Sequence, residues 1–573
     1  MDWRNNVKKW NAFDEMEEPL KQQLTEMMNH KKELEDAFYT NLSFGTAGMR
    51  GMLGPGTNRM NIYTVRKAVE GLANHIVKYR DNARERGVVI AYDSRYMSQE
   101  FAIEAARVLG VHGIKTFVFD SLRPTPLLSF AVRYLHTAAG IMITASHNPP
   151  EYNGFKVYNQ DGGQMLSEEA TALIDEVHAV SDELQVPVKP QKEIEAAGLL
   201  EWVGEQVDQA YLRQLKGIQK QDQEKSLQIV FTSLHGTAHD LVMRGLKQIG
   251  FNNVHVVKEQ AQPDPDFSTV SSPNPEEHQA FEMAMEQGKL IGADILIGAD
   301  PDADRLGVAV RRQDGGYQVL TGNQLGALLL DYTLSQLSAP QRENGVFIKT
   351  VVTTELGRAI ADYYQVETVN TLTGFKYIGE KIKEFETDIR HFLFGYEESY
   401  GYLIGDFVRD KDAVQIAVAA CEMANYWKLK GETLLTALEA LYQRHGYYQE
   451  ELQALTLKGK DGAAQIESIM EDVRRQPFEQ LAGLEVIAVE DFHSSQRTQI
   501  RSGEVTTIDL PQANVVKFLL EQDAWVCFRP SGTEPKMKSY FAVKSDSKEE
   551  SEQLLKQIQE EVSVRIDRVI DEK

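Results

Sequence analysis

The sequence predicts an α/β protein with three similar units, followed by a smaller α+β domain. Apolar, strand-like runs alternate with amphipathic helical stretches, which is typical of βαβ units whose helices cover a mainly parallel or mixed sheet. This alternation starts again twice along the chain. The C-terminal part has a different order, with two strands around a turn and then a long helix.

The first unit follows a charged, helix-prone extension at residues 1–40. Strands are predicted at 87–95, "GVVIAYDSR", and at 114–120, "IKTFVFD". The stretch between them, 98–113, has helical spacing and ends at glycines. "AGIMIT" at 139–144 predicts a third strand.

The later units repeat this order. A strand, a glycine loop and a helix are predicted at 227–250, and a further strand at 293–300. The third unit starts at 345–364 and has a strand with an attached loop at 391–402. In the tail, we predict a helix at 461–477, two strands around a turn at 514–545, and an amphipathic helix at 547–570. The predicted partition is a helical extension at 1–40, domain I at 41–209, domain II at 210–322, domain III at 323–450, and domain IV at 451–573.

The charge of the 573-residue chain limits its partners. It has 61 Lys and Arg against 85 Asp and Glu, a net charge of −24, whereas nucleic acid and anionic membranes need a basic face. An anionic substrate would therefore need positive charge concentrated in loops. The two cysteines, Cys421 and Cys527, are far apart in the sequence, so they predict neither a disulfide framework nor a thiolate metal site. With no signal-peptide pattern and no long apolar run, we expect a cytoplasmic protein.

The first polar cluster is "TASHNPP" at 144–150, directly after a predicted strand. Ser146 is a candidate nucleophile, and His147 beside it can help to activate the hydroxyl. The alternative is a plain turn, since Ser, Asn and Pro are turn-forming residues. The segment does not match the G-x-S-x-G nucleophile elbow of hydrolases.

The second cluster is "GADPDADRLG" at 298–307, in which Asp300, Asp302 and Asp304 alternate. In an extended segment such residues project to one side, where their charges repel unless a cation neutralises them. Oxygen ligands of this kind suit Mg²⁺. A calcium loop is excluded, because its required Gly and Glu positions are Arg305 and Arg311 here. The alternative is a solvated acidic turn.

Two further loops carry polar groups. "GYEESYGY" at 395–402 contains Glu397 and Ser399, which suit sugar hydroxyls, or else it is an ordinary tight loop. "RPSGTEPK" at 529–536 can surround an anion with side-chain and backbone donors, or else it is a hairpin turn. "GTAGMRG" at 45–51 is a smaller glycine-rich loop with Arg50, again suited to a phosphate.

Together and in this order, the four motifs resemble the α-D-phosphohexomutase superfamily over roughly residues 41–545, and its long bacterial α-phosphoglucomutases and phosphopentomutase branch in particular. The resemblance implies four domains around a central cleft. It implies interconversion of glucose 1-phosphate and glucose 6-phosphate through phosphorylated Ser146 and a glucose 1,6-bisphosphate intermediate, which also serves as activator. It implies a Mg²⁺ ion held by Ser146, Asp300, Asp302 and Asp304, with Arg305 beside the phosphoryl group.

The resemblance also implies the contacts of the sugar phosphate. Glu397 and Ser399 would hold sugar hydroxyls, and a further loop would do so through Thr373 and Gly374. The non-reacting phosphate would be bound by Arg529, Ser531, Gly532 and Thr533. Arg50 of the small glycine-rich loop is a further candidate for substrate binding.

One position departs from the family pattern. Some relatives have a histidine two residues after the serine of the sugar loop, as a candidate general base, and here that residue is Gly401. The base is therefore open between His147 and Lys411. The preferred sugar (glucose, mannose or pentose phosphate) and the oligomeric state (monomer or dimer) are also open. A non-catalytic sugar-phosphate binder and a metal-assisted phosphatase are alternatives from other functional classes.

Overall fold

The computed structural model describes residues 2–45, 48–457, 459–531 and 536–571. The chain forms two compact units. Unit 1 consists of Met1–Leu325 with Phe375–Thr433, and unit 2 of Gly326–Gly374 with Leu434–Lys573. Within the described residues, no helix is both long enough and apolar enough to cross a lipid bilayer.

The predicted N-terminal extension consists of three helices, α1 (Trp3–Asn11), α2 (Glu18–Met27) and α3 (Lys31–Phe38). The side chain of Asp2 caps α1 by accepting a hydrogen bond from the Arg4 N–H group. Trp10 is fully buried and packs edge-on against the rings of Phe38 and Tyr63. The extension is therefore anchored to the first α/β layer by an aromatic cluster.

The first α/β layer in unit 1 has a six-stranded sheet in the order β1-β5-β4-β2-β3-β6. Strands β2, β3, β4 and β6 pair in parallel, whereas β5 and β1 add antiparallel at one edge. Every residue of β2 and β4 is buried, as expected for strands covered by helices on both faces. The strands are β1 (Met49–Met52), β2 (Val88–Tyr92), β3 (Thr116–Phe119), β4 (Ala139–Ile143), β5 (Tyr152–Tyr158) and β6 (Leu200–Val203). The helices are α4 (Ile62–Tyr79), α5 (Ala83–Arg86), α6 (Ser98–Val111), α7 (Thr125–Tyr134), α8 (Ser167–Ala179), α9 (Gln191–Ala196) and α10 (Glu205–Lys216).

The second layer, also in unit 1, repeats this plan with five strands in the order β11-β10-β9-β7-β8. Strand β7 pairs in parallel with β8 and β9, and β10 and β11 add antiparallel at one edge. The elements are β7 (Ile229–Thr232), α11 (His239–Gln248), β8 (Val254–Val256), α12 (Glu282–Ile291), β9 (Ile295–Ala299), β10 (Leu306–Arg311) and β11 (Tyr317–Val319). Both layers therefore end a buried parallel strand in a loop that leads into an antiparallel strand.

The third α/β region shows the same two kinds of pairing. In unit 2, β12 pairs in parallel with β13, and in unit 1, β14 pairs antiparallel with β15. The elements are α13 (Gly322–Ser335), α14 (Ala339–Arg342), β12 (Gly345–Thr350), α15 (Leu356–Tyr363), β13 (Glu367–Thr371), α16 (Phe375–Phe385), β14 (His391–Glu397), β15 (Gly401–Leu403), α17 (Ala413–Leu429) and α18 (Leu434–His445).

The C-terminal part of unit 2 is an antiparallel sheet in the order β16-β23-β22-β21-β18-β19-β20, with β17 paired to β18. Two helices, α19 (Gly459–Arg475) and α20 (Lys548–Asp571), accompany it. The strands are β16 (Tyr447–Thr456), β17 (Gln480–Leu481), β18 (Leu484–Asp491), β19 (Gln496–Gln499), β20 (Val505–Thr507), β21 (Val516–Leu520), β22 (Trp525–Pro530) and β23 (Lys536–Ser545).

The sequence-based prediction of two strands at 514–545 is wrong, because this segment forms three strands. The first apolar run is interrupted by a 3₁₀ turn at Glu521–Asp523. Gln522 and Asp523 adopt φ of 60° and 59° there, so the chain reverses without a glycine or a proline to mark the turn.

Candidate active site

Three of the predicted loops occupy equivalent places in unit 1. The serine loop joins β4 to β5, the aspartate loop joins β9 to β10, and the sugar loop joins β14 to β15, each pair being antiparallel. Each loop holds one non-glycine residue in the left-handed region: Ser146 with φ 53°, Ala303 with φ 56° and Tyr400 with φ 65°. Such backbone conformations cost about 1 kcal/mol or more and concentrate at functional sites.

Ser146 is buried and directed at the aspartate loop. Its Oγ donates to Asp300 Oδ2 at 2.9 Å, and its N–H group donates to Thr144 Oγ1 at 2.8 Å. Arg95 donates to the Ser146 carbonyl at 2.6 Å and to the Pro149 carbonyl at 2.8 Å. The turn predicted from the Ser, Asn and Pro residues is therefore present, and it holds the hydroxyl in a fixed position.

The three aspartates form a buried carboxylate cluster. One oxygen from each of Asp300, Asp302 and Asp304 lies within 4.8 Å of the other two. Asp302 Oδ1 and Asp304 Oδ1 are buried and have no hydrogen-bond partner among the described residues. Burial, together with the neighbouring carboxylates, raises the pKa of Asp300 well above its ordinary value. Unpaired, converging carboxylate oxygens fit a hard divalent cation, so this donor set meets the requirement for a metal site.

Two buried lysines partly neutralise the cluster. Lys156 Nζ lies 2.7 Å from Asp302 Oδ2 and 3.4 Å from Asp304 Oδ2. Lys411 Nζ lies 3.0 Å from Asp304 Oδ2 and 3.1 Å from Asp410 Oδ1. Burial acts to lower the pKa of Lys411, but the surrounding carboxylates outweigh it and raise this pKa. Lys411 is therefore a firmly held cation.

The lysine stem explains the glycine in the sugar loop. A Cβ atom at Gly401 would stand 2.2 Å from Cδ of Lys411. The Lys411 side chain thus occupies the space that a side chain at Gly401 would need, and Gly401 is the position at which some relatives of the resembled family have a histidine.

Arg305 connects the aspartate loop to the preceding segment. Its backbone N–H group donates to Asp300 Oδ1 at 3.0 Å, and its guanidinium group pairs with Glu276. Glu276 was not predicted from the sequence. It is fixed by a turn in which its N–H group donates to the side chain of Asn274 at 3.2 Å.

His147 and Arg50 lie beside the serine. Nδ1 of His147 is 3.2 Å from Ser146 Oγ. Burial, with the charges of Arg305 and Arg50, lowers the pKa of His147 to about 2, so its ring is neutral at neutral pH. Arg50, on the edge strand β1, is exposed and donates to Asn148 Oδ1 at 2.7 Å.

The sugar loop is tied to the aspartate loop within unit 1. The carbonyl of Tyr400 accepts a hydrogen bond from the N–H group of Leu306 at 3.1 Å. Glu397 is buried at the end of β14, and Ser399 is partly buried. A Cβ atom at Gly322 would stand 2.0 Å from the Glu398 carbonyl oxygen, so glycine is required there.

The remaining predicted residues belong to unit 2 or lie outside the described residues. Thr373 and Gly374 join β13 to α16, with Gly374 at φ 121°, which favours glycine. Arg529 lies in β22 opposite Lys538, and the Ser531 N–H group donates to the Lys536 carbonyl at 2.7 Å. Gly532 and Thr533 lie outside the described residues.

Sequence reasoning missed Lys156 and Arg95 as well as Glu276. Lys156 was detectable, because it is a lone lysine in the otherwise apolar strand "GFKVY" directly after the serine loop. Arg95 is the last residue of the predicted strand at 87–95. The sequence does not show that its guanidinium group donates to four backbone carbonyl groups at residues 146–152.

Three family models match the chain in sequence order. They describe the "Phosphoglucomutase/phosphomannomutase, alpha/beta/alpha" domains I, II and III and match residues 41–183, 209–315 and 321–445. The chain belongs to the phosphoglucomutase/phosphomannomutase family. The family that the four motifs resemble is thereby confirmed, and so is the predicted α/β fold class.

Relatives of this family agree over most of their length. The chain is 41% identical over 515 residues to a phosphoglucomutase of Staphylococcus epidermidis, covering 90% of this chain and 93% of that protein. It is 42% identical over 513 residues to a phosphoglucomutase of Staphylococcus aureus, covering 89% and 91%. A crystal structure of a putative phosphomannomutase from Thermus thermophilus has a TM-score of 0.66 at 24% identity, covering 91% of this chain and 99% of that one, and shares the fold.

Proposed function

We propose that this chain is a phosphoglucomutase that interconverts α-D-glucose 1-phosphate and D-glucose 6-phosphate. The observation that carries the proposal is the hydrogen bond of 2.9 Å between the strained, buried Ser146 hydroxyl and Asp300 of the carboxylate cluster. Binding alone does not need a hydroxyl held against a potential metal site. The curated relatives named phosphoglucomutase support the enzyme class, an isomerase, and the preference for glucose.

Ser146 carries the phosphoryl group in this proposal. The bond from phosphorus to Ser146 Oγ breaks as a bond to a sugar hydroxyl oxygen forms, which gives glucose 1,6-bisphosphate. The intermediate turns over, and Ser146 Oγ recovers a phosphoryl group from the other end of the sugar. Catalytic amounts of the bisphosphate act as activator because they rephosphorylate Ser146.

The carboxylate cluster is assigned to metal binding. Asp300, Asp302 and Asp304 would hold Mg²⁺ with an oxygen of phosphorylated Ser146, and the bound ion offsets the negative charge of the transferring group. Lys156 supports the cluster through its ion pair of 2.7 Å with Asp302. The backbone N–H group of Arg305 donates to Asp300. Its guanidinium group, which pairs with Glu276 in this structure, is assigned to the phosphoryl oxygens.

His147 and Lys411 stay the two candidates for proton transfer, and neither is a strong base in this arrangement. Nδ1 of His147 lies 3.2 Å from Ser146 Oγ and can hydrogen-bond to it, but a pKa of about 2 makes the ring a weak proton acceptor. Lys411 holds its proton firmly between Asp304 and Asp410, which suits charge neutralisation rather than a base.

The sugar phosphate is the proposed small-molecule partner. Glu397 and Ser399 hold sugar hydroxyls, and Thr373 and Gly374 are assigned the same task. The non-reacting phosphate is assigned to Arg529, Ser531, Gly532 and Thr533. Arg50, which contacts the serine loop at Asn148, is assigned to substrate binding. A cytoplasmic location remains a prediction, supported by the paucity of cysteines.

The test is a coupled assay of glucose 1-phosphate with a catalytic amount of glucose 1,6-bisphosphate. Wild-type protein should turn over, and Ser146→Ala should lose activity by about four orders of magnitude or more, because the nucleophile is removed. A Ser146→Ala variant with the wild-type rate would refute the role of Ser146. Steady release of inorganic phosphate would indicate a phosphatase instead, and kcat/KM for mannose and pentose phosphates would set the sugar preference.

A further inference from the structure

A cavity of about 320 Å³ lies in unit 1 between the N-terminal segment and helices α4 and α8. It is bounded by the segment at 40–44 on one side and by Lys67 and Ala68 of α4 on another. Of the described residues that line it, none belongs to the set proposed for catalysis. The cavity is therefore a site separate from the serine and aspartate loops.

The walls of the cavity have two chemical characters. One part is apolar, formed by Leu42, Phe44, Met49, Ala68 and Val177. The other part carries the Lys67 ammonium group with the side chains of Asn41 and Ser43, which make no hydrogen bonds to other described residues. A pocket that combines an apolar body with a few polar groups is the usual form of a small-molecule site.

Lys67 is the group that defines the ligand. It is half-buried, and its ammonium group makes no hydrogen bond or ion pair with any described residue. Glu183, at the edge of the cavity, is already engaged, because it accepts a hydrogen bond from Trp10 Nε1 at 2.8 Å and pairs with Lys9 Nζ at 2.9 Å. Burial lowers the pKa of Lys67, and the Glu183 carboxylate, which makes no ion pair with it, opposes this shift only in part.

We propose that this cavity binds a small organic anion, with its carboxylate or phosphate on Lys67 and its apolar part against Phe44 and Met49. The volume is at the lower end of the range of about 300–1,000 Å³ for ligand pockets, which fits a molecule the size of a substituted benzene ring. The proposal is independent of the proposed function. Met49 is the strand neighbour of Arg50, so a ligand here would adjoin a strand that contacts the serine loop.

The experiment is isothermal titration calorimetry on the full-length protein with benzoate and with phenyl phosphate, which share an apolar body and differ in the anion. Benzyl alcohol is the neutral probe. Saturable binding of either anion at 1:1 is expected, with benzyl alcohol at least about tenfold weaker, because the neutral probe cannot form a charge-assisted hydrogen bond with both partners ionised. The anion that binds more tightly identifies the ligand class.

Two variants assign the binding to the cavity. Lys67→Met should weaken the binding of the preferred anion at least about tenfold. Lys78→Met is the matched control, because Lys78 lies about three turns further along α4 and its ammonium group is paired with Glu176 at 2.8 Å. It removes the same charge and should leave the affinity unchanged.

Several results would overturn the proposal. They are the absence of saturable binding of both anions, benzyl alcohol binding as tightly as the anions, wild-type affinity in Lys67→Met, or an equal loss in Lys78→Met. Circular dichroism checks that each variant is folded. If Lys67→Met does not fold, Ser43→Trp replaces it, because Ser43 is exposed at the rim and the indole would fill the cavity. Retained binding in that variant would equally refute the site.

Discussion

Each unit contains a buried cluster of lysines and carboxylates, and the two clusters differ in whether every charged atom has a partner. In unit 1, Lys156 and Lys411 meet the three carboxylates of the aspartate loop, and buried carboxylate oxygens of Asp302 and Asp304 have no hydrogen-bond partner among the described residues. In unit 2, two lysines meet one carboxylate, Glu355.

The cluster of unit 2 is internally satisfied. Lys349 Nζ donates to the Thr353 carbonyl at 2.9 Å and lies 2.9 Å from Glu355 Oε1. Lys517 Nζ donates to the Val351 carbonyl at 2.7 Å and stacks over the Trp525 ring at 4.3 Å. Burial of charge alone therefore does not mark a functional site. Unpaired oxygens together with a strained backbone, as at Asp302, Asp304 and Ser146, are what distinguish the candidate active site.

The largest expected difference between the clusters is in activity. Asp300→Asn keeps the shape of the side chain but removes a charge from the proposed metal site, so kcat/KM in the coupled assay should fall about 10³-fold. Because the pKa of Asp300 is raised in the folded protein, its charge is unfavourable there, and the metal-free variant should be at least as stable as the wild type.

Urea denaturation in EDTA measures the second half of this prediction. A variant with full activity, or one that is markedly less stable than the wild type, would remove the distinction between the two clusters.

Glu355→Gln should show the opposite behaviour. Glu355 lies 2.9 Å from the buried Lys349 and 3.8 Å from the buried Lys517, so its loss leaves two buried cations without their counterion. The free energy of unfolding should fall by about 3 kcal/mol. The folded variant should keep kcat/KM within a few-fold of the wild type, and a loss comparable to that of Asp300→Asn would show that the unit 2 cluster also serves catalysis.

The pH dependence of stability sharpens the description of unit 2. Burial lowers the pKa of Lys349 from 10.5 to about 8, so between these values the unfolded chain binds a proton that the folded chain has released. The free energy of unfolding should therefore rise with pH in this window, by at most about 1.4 kcal/mol per pH unit. Urea denaturation at pH 8 and pH 10 should show the wild type gaining stability relative to Lys349→Met. A constant difference, or a loss, would contradict the environment described for Lys349.

The sequence predicted the candidate site residues that lie together in one short motif. Ser146 and the three aspartates follow buried strands directly, so the end of the apolar run locates them without tertiary information. Lys156 and Glu276 were missed because pairing brings them to the cluster from other elements, Lys156 acting on Asp302 from 146 positions away.

The same limit applies to the fold. In the first two layers, the parallel strands β2, β3, β4, β7 and β9 were predicted, because their apolar runs are continuous and are bounded by glycines or polar residues. The edge strands β6 and β8 were not predicted, because they are short and partly exposed. The separation of β21 from β22 was not predicted, because the turn at Glu521–Asp523 contains neither glycine nor proline. The role of Gly401 also required the structure, since only the path of the Lys411 side chain shows what occupies the space above it.

The central claim is that Ser146 carries a phosphoryl group that it exchanges with a sugar phosphate. Intact-mass measurement of the wild-type protein tests it most directly. After incubation with glucose 1,6-bisphosphate the mass should increase by one phosphate, with the modification on Ser146, and glucose 1-phosphate should remove it. A wild-type protein that never carries phosphate, or a Ser146→Ala variant that carries it equally, would contradict the claim.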